Sequence, residues 1–207
     1  MSPDLWFAFA LTSAVLVAVP GPTVMLVISY ALSNGRSSGL ATVPGVTLGD
    51  FVAMTTSLLG AGAVLAVSAT LFTALKIVGA AYLVWLGVRL WRTEPSAELP
   101  GRMEPRAGAR RMFWSACLVT ALNPKGIVFF VAFVPQFVDP ARPLLPQFAI
   151  LEATFLVLAA ANVALWAGLA GSLQAAFRRP STARFFNRLG AGFLIGAGLL
   201  IALRRAS

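Results

Sequence analysis

Asn123, Pro124 and Lys125 follow one another inside an apolar run over residues 112–138. A lysine near the centre of a membrane helix costs about 2.5–3.5 kcal/mol on insertion scales. Proline removes a backbone donor and clashes with the preceding turn, so carbonyls just before it lose their partners. In hydrocarbon, broken backbone persists only where it is buried in protein or lines a wet cavity. An amide, a helix breaker and a cation together therefore read as a site. Its lysine would bind a carboxylate or neutralise an acid across a helix bundle.

Asp50 is the acid that answers this description. It lies in the middle of the second apolar run with no cation nearby in sequence. Acids inside membranes commonly relay protons or pair with cations; a structural hydrogen bond to a broken helix is the other role open to Asp50. Gly45 and Gly49 precede it as a small-xxx-small pair, a pattern that lets helices pack closely. A second break, Pro20-Gly21-Pro22, interrupts the first run and frees several carbonyls and amides together. Glu152 is the other acid expected inside the membrane, nearer its outer face. With Asp50 it forms the candidate proton-coupling set. Asn162 and Gln147 read as interhelical hydrogen-bonders.

These residues have to be positioned by membrane helices. Of 207 residues, 58% are hydrophobic and 11% charged, and mean hydropathy is +0.84. Soluble domains carry about a quarter charged residues. Six apolar spans are expected at about 5–28, 39–66, 71–91, 112–137, 144–173 and 189–203, several reaching the roughly 20 residues that cross a bilayer as helix. The fold class is an all-α integral membrane protein with a single domain over 1–207: a first half, 1–91, a charged loop, 92–111, and a second half, 112–207. With no basic segment before the first run, a cleaved signal peptide is not expected. Gly190, Gly192, Gly196 and Gly198 make the last span a packing face and a candidate surface for a homodimer.

The net charge of +9 sits in short links between apolar runs, which speaks for membrane orientation and against nucleic acid. Arg36, then Arg89, Arg92, Arg102, Arg106, Arg110 and Arg111, then Arg178, Arg179, Arg184 and Arg188 all fall on links one, three and five. The positive-inside rule puts those links in the cytoplasm and both termini outside. There is no histidine and one cysteine, Cys117, so an internal disulfide, dithiol redox chemistry and Cys/His metal sites are excluded. No enzyme activity and no cofactor are expected.

Spans one and four each carry a proline-centred break, and spans two and five each carry an acid. Pro22 and Pro124 are 102 residues apart, and so are Asp50 and Glu152. Three spans per half make the second half enter from the opposite side, a 3+3 inverted repeat of the kind secondary transporters use around a midplane site. At about 1.5 Å per residue, Asp50 lies roughly 15 Å and Lys125 roughly 20 Å along their spans, close to the bilayer centre.

The ordered set Pro20-Gly21-Pro22, Gly45 to Asp50 and Asn123-Pro124-Lys125 resembles the lysine exporter family, also called the lysine/homoserine–threonine exporters. The resemblance covers essentially the whole chain. It implies a bacterial inner-membrane exporter of amino acids or related metabolites driven by the proton motive force. The family's motif positions here are Pro20, Gly21, Pro22, Gly45, Gly49, Asp50, Asn123, Pro124 and Lys125; Glu152 is not among them.

An exported amino acid carries both charges, and each needs a partner in low dielectric. The amide end of a half-helix after Pro22 or Pro124 suits its carboxylate, assisted by Lys125. Carbonyls freed before the prolines, together with Asp50, suit its ammonium. Pro20, Gly21, Pro22, Asn123, Pro124 and Lys125 are thus the candidate substrate-binding residues. If Asp50 also takes protons, substrate and proton compete for one group, which gives antiport. The competing reading is a membrane-embedded inorganic ion or metal exporter of similar architecture, for which the scattered carboxylates are a thin ligand set.

Overall fold

The computed structural model describes residues 1–93, 108–139, 142–177 and 180–203. Most of the charged loop expected at 92–111 lies outside the described residues, as do Arg178 and Arg179. Among the described residues the protein is all-helical, with no strand. The first half comprises α1 (Pro3–Ala18), α2 (Pro22–Asn34), a short α3 (Arg36–Leu40), α4 (Val43–Val67) and α5 (Ala69–Arg92). In the second half, α6 (Ala109–Ala121) and α7 (Pro124–Val128) lead into a π turn, Phe129–Phe133, and a 3₁₀ turn, Val134–Phe137. Then come α8 (Leu144–Phe177) and α9 (Pro180–Leu203).

Two helical stretches, Arg36–Val64 and Leu144–Ala170, are each long and apolar enough to cross a membrane. Two bent pairs pass the same test together: α1 with α2, at 52°, and α6 with the segment Pro124–Phe137, at 42°. The helices are apolar nearly all round, as membrane spans are. Val67, Leu122, Leu145 and Val157 are each more than two-thirds exposed, a surface suited to lipid and not to water.

Several boundaries differ from the sequence reading for local reasons. A polar link was expected from Ser29, yet α2 continues to Asn34. The Ser29 hydroxyl is satisfied inside the helix, donating to Met25 O at 2.8 Å. The turn falls at Gly35, whose φ of 90° lies in the left-handed region that favours glycine. Between α4 and α5 the turn is reduced to Ser68, which has extended backbone and caps α5 by accepting from Leu71 N at 3.2 Å. The last helix begins at Pro180, so Arg184 and Arg188 lie on it and not on a link. Buried Gln147 joins no helices: it accepts from Asp139 N and donates to Asp139 O, both at 2.9 Å, stitching the turn before α8.

Glycines set the closest helix approaches. A Cβ at Gly45 would strike Phe113 O, and one at Gly49 would lie 2.5 Å from Cys117 O, so α4 lies directly on α6. On α5 and α9, Gly87 faces Ile195 and Ala191 while Gly198 faces Ala80 and Val84. Gly190 is likewise taken up inside the chain, against Val19, whereas Gly192 and Gly196 meet nothing among the described residues. The largest core cluster is aromatic. Phe129 stacks on Phe133 at 5.0 Å, Phe130 meets Phe155 edge-on at 4.8 Å, and Phe9 meets Phe137 at 5.5 Å.

Candidate functional site

The first break follows from proline sterics. A residue before proline is driven out of the helical region. Val19, before Pro20, is extended (φ −70°, ψ 114°), so α1 stops at Ala18. Gly21, before Pro22, is extended as well (φ −131°, ψ −170°), and α2 starts with Pro22 in its first turn, where a missing N–H leaves nothing unpaired. Any residue tolerates the Gly21 conformation. A Cβ there would rest in ordinary contact with the end of Lys125, 3.4 Å from its Nζ, so Gly21 lies beside the ammonium.

The second break forms in the same way, with Asn123 extended before Pro124 (φ −70°, ψ 110°). Asn123 Oδ1 accepts from Lys125 N at 3.1 Å, capping α7. Its Nδ2 donates to Thr23 Oγ1 at 3.4 Å, and the Thr23 and Thr120 hydroxyls are hydrogen-bonded at 3.2 Å. These contacts join the two breaks directly.

Lys125 reaches from the second break to the first. Its ammonium donates to Leu16 O at 3.1 Å and to Val19 O at 2.9 Å. Asn162 on α8 donates to Val17 O at 2.9 Å. The last carbonyls of a helix have no partner within it, and here side chains from the second half supply them.

Between the breaks lies a cavity of about 50 Å³ whose polar lining is Gly21, Thr23, Asp50, Asn123, Lys125 and Asn162. Leu16, Val24, Val46, Phe155 and Val163 are among its apolar walls. Asp50 is half-buried and makes no ion pair with Lys125 within 4 Å. The sequence reading offered the lysine to Asp50 or to a solute carboxylate; in this state it holds carbonyls. At roughly 30 Å³ per water, the cavity has room for one or two. A larger solute requires the helices around it to part.

The structure thus brings Gly21, Asp50, Asn123 and Lys125 to one cavity, flanked by Pro20, Pro22 and Pro124. Gly45 and Gly49 lie outside it, where α4 meets α6. Glu152 is also elsewhere, accepting a short hydrogen bond from Thr55 Oγ1 at 2.6 Å that ties α8 to α4. Asn162 makes the interhelical hydrogen bond expected of it, to Val17 O. Two site residues, Thr23 and Thr120, are not singled out by the sequence. Their signal is position: Thr23 directly follows Pro22, and Thr120 lies three residues before Asn123.

A carbonyl end, an amide end, a cation and an acid converge here. Such an arrangement can hold a solute of both charges.

The LysE type translocator family matches residues 14–205. A homoserine/homoserine lactone efflux protein of Salmonella typhimurium is 31% identical over 207 residues, covering both chains fully. An uncharacterized membrane protein of Vibrio cholerae serotype O1 is 34% identical over 206 residues, also with full coverage. Another of Pseudomonas aeruginosa is 34% identical over 212 residues, covering 95% of this chain and 90% of its own. No solved structure matches the chain. The family match spans both breaks and the acid between them, and the chain belongs to the LysE type translocators, a family of membrane transport proteins.

Proposed function

We propose that the protein exports amino acids or close derivatives across the bacterial inner membrane by proton antiport, around the cavity between the two broken spans. The observation that carries this reading is the meeting of Asp50, Lys125 and both proline breaks at one cavity. In the proposed cycle the amide end of α2, which has no side-chain cap, receives the substrate carboxylate. Asp50 takes and releases the proton. The Salmonella relatives are named for efflux of homoserine and homoserine lactone, and that substrate class is proposed here too. The two molecules share an ammonium group, and only homoserine carries a carboxylate.

The proposed architecture is six spans in a 3+3 inverted repeat, with α5 and α9, 24 residues each, as spans three and six. The pattern of neighbours supports it: α4 packs on the fourth span, α8 on the first, and α5 on α9. The basic links support an orientation with both termini outside. Gly192 and Gly196 are the glycines of α9 left open for a second copy. No observation favours an inorganic ion exporter, since Asp50 and Glu152 do not share the cavity.

The test is a screen in everted vesicles with an imposed proton gradient, starting from homoserine and its lactone. The wild type is expected to accumulate substrate. Asp50→Asn is expected to lose gradient-driven accumulation while keeping exchange at equal pH. Full gradient-driven transport by Asp50→Asn would transfer the proton role to Glu152. No accumulation of any amino acid by the wild type would sink the export reading.

A further inference from the structure

We propose that the carbonyl oxygens of Leu16 and Val19 form the binding site for the substrate's ammonium group, and that the ammonium of Lys125 fills it in the empty protein as a tethered stand-in. The proposal rests on reading the cavity as the substrate site. It adds that Lys125 and the substrate compete for one place.

The geometry is specific. An ammonium has three N–H donors and no acceptor. Lys125 Nζ uses two donors, at 3.1 and 2.9 Å, on carbonyls that the break leaves without partners in α1. Those carbonyls lie at the negative end of α1. Asn162 holds the Val17 carbonyl between them, which fixes the strand of backbone that presents the pair. Beside the ammonium lies Gly21, at the start of α2, the positive end of the next half-helix. A solute with adjacent ammonium and carboxylate groups matches that pair of ends in both sign and order. The lysine cannot fill both.

A displaced lysine has somewhere to go. Asp50 lines the same cavity and is not paired with Lys125 in this state. Lys125, from α7, is the charged side chain that shares the cavity with Asp50; Glu152, from α8, is turned to Thr55 instead. Substrate entry would therefore send Lys125 to the Asp50 carboxylate. A proton arriving on Asp50 would release the lysine to its carbonyls and expel the substrate. The exchange is wholly non-covalent, and it makes export and proton uptake alternate.

Purified protein and its Lys125→Met variant, with methylammonium chloride as the probe, decide the matter. Methylammonium has the donors of the lysine head without the tether, and tetramethylammonium has none. Thermal unfolding of Lys125→Met should rise with methylammonium, by roughly 3–6 °C at about ten times its dissociation constant. Tetramethylammonium should leave it unchanged, and neither should raise the wild type. In the wild type, methylammonium should speed acylation of Lys125 by a small permeant amine reagent, read by mass spectrometry. A folded Lys125→Met with no methylammonium shift overturns the proposal. If that variant does not fold, unchanged acylation in the wild type overturns it alone. Failure of the vesicle screen with a positive methylammonium response would sink the export reading and keep the ammonium site.

Discussion

The two proline breaks are made by the same steric rule and completed in different ways. At the second, the chain provides its own cap: Asn123 accepts from Lys125 N and its amide reaches Thr23. At the first, no side chain of its own caps either helix end. Its carbonyls at Leu16, Val17 and Val19 are held by Lys125 and Asn162, both from the other half of the chain. A break that caps itself is a fixed part. A break capped from across the bundle lasts only while the two halves keep their places, so the first is where movement of one half would be felt. Two breaks alike in every detail would lack this division of labour.

The largest effects are expected at the prolines. Pro124→Ala lets the helix run through Asn123 to Gly126 and re-pairs the freed carbonyls. Export is expected to fall at least about tenfold, a change of roughly 1.4 kcal/mol in barrier. Thermal stability should hold or rise. Pro22→Ala should do less, because Pro20 still holds Val19 extended and Lys125 and Asn162 still hold the carbonyls. Equal losses in a vesicle assay would remove the distinction between the breaks.

Asn162→Leu should act on the first break, at a smaller scale. The Val17 carbonyl loses its donor, at a cost of about 0.6–1.5 kcal/mol for one neutral hydrogen bond. Melting temperature should drop by a few degrees and export by several-fold, with the second break untouched. Export and stability both unchanged would show that Val17 needs no cap. Thr120→Val should have the least effect, below about 1 kcal/mol, because Thr23 keeps its bond from Asn123. A loss as large as that of Asn162→Leu would mean that the second break depends on its neighbours after all.

Proline effects act on the adjacent residue, and both helix ends at Ala18 and Ala121 could be placed from sequence to within a few residues. Close approach was readable too, since Gly45 and Gly49 recur at one turn's spacing ahead of Asp50. Partner choice was not. Lys125 bonds to carbonyls 106 and 109 residues away, and only the packing of the halves sets that encounter. The offset of 102 residues pointed to Glu152 as a partner for the site, but a repeat fixes depth along a helix and not the face presented. Glu152 faces Thr55 on α4 instead. The π turn was hidden because the Phe-rich stretch is apolar on every face, leaving no period to be interrupted.

That π turn, Phe129–Phe133, is followed at once by the 3₁₀ turn, Val134–Phe137. A π turn is wound wider than an α-helix and a 3₁₀ turn tighter, at 3.0 residues per turn against 3.6. Lag in the first is made up in the second, so Phe130 and Phe137, before and after the switch, both end in the core, at 0% and 6% exposure. Deleting one residue from a regular span swings everything beyond it by about 100°. A deletion within Phe129–Phe133 can instead be absorbed by rewinding the wide turn as ordinary α-helix. The bent segment from Ala109 to Phe137 therefore contains a length reserve: it can lose a residue there while the faces on either side keep their aim.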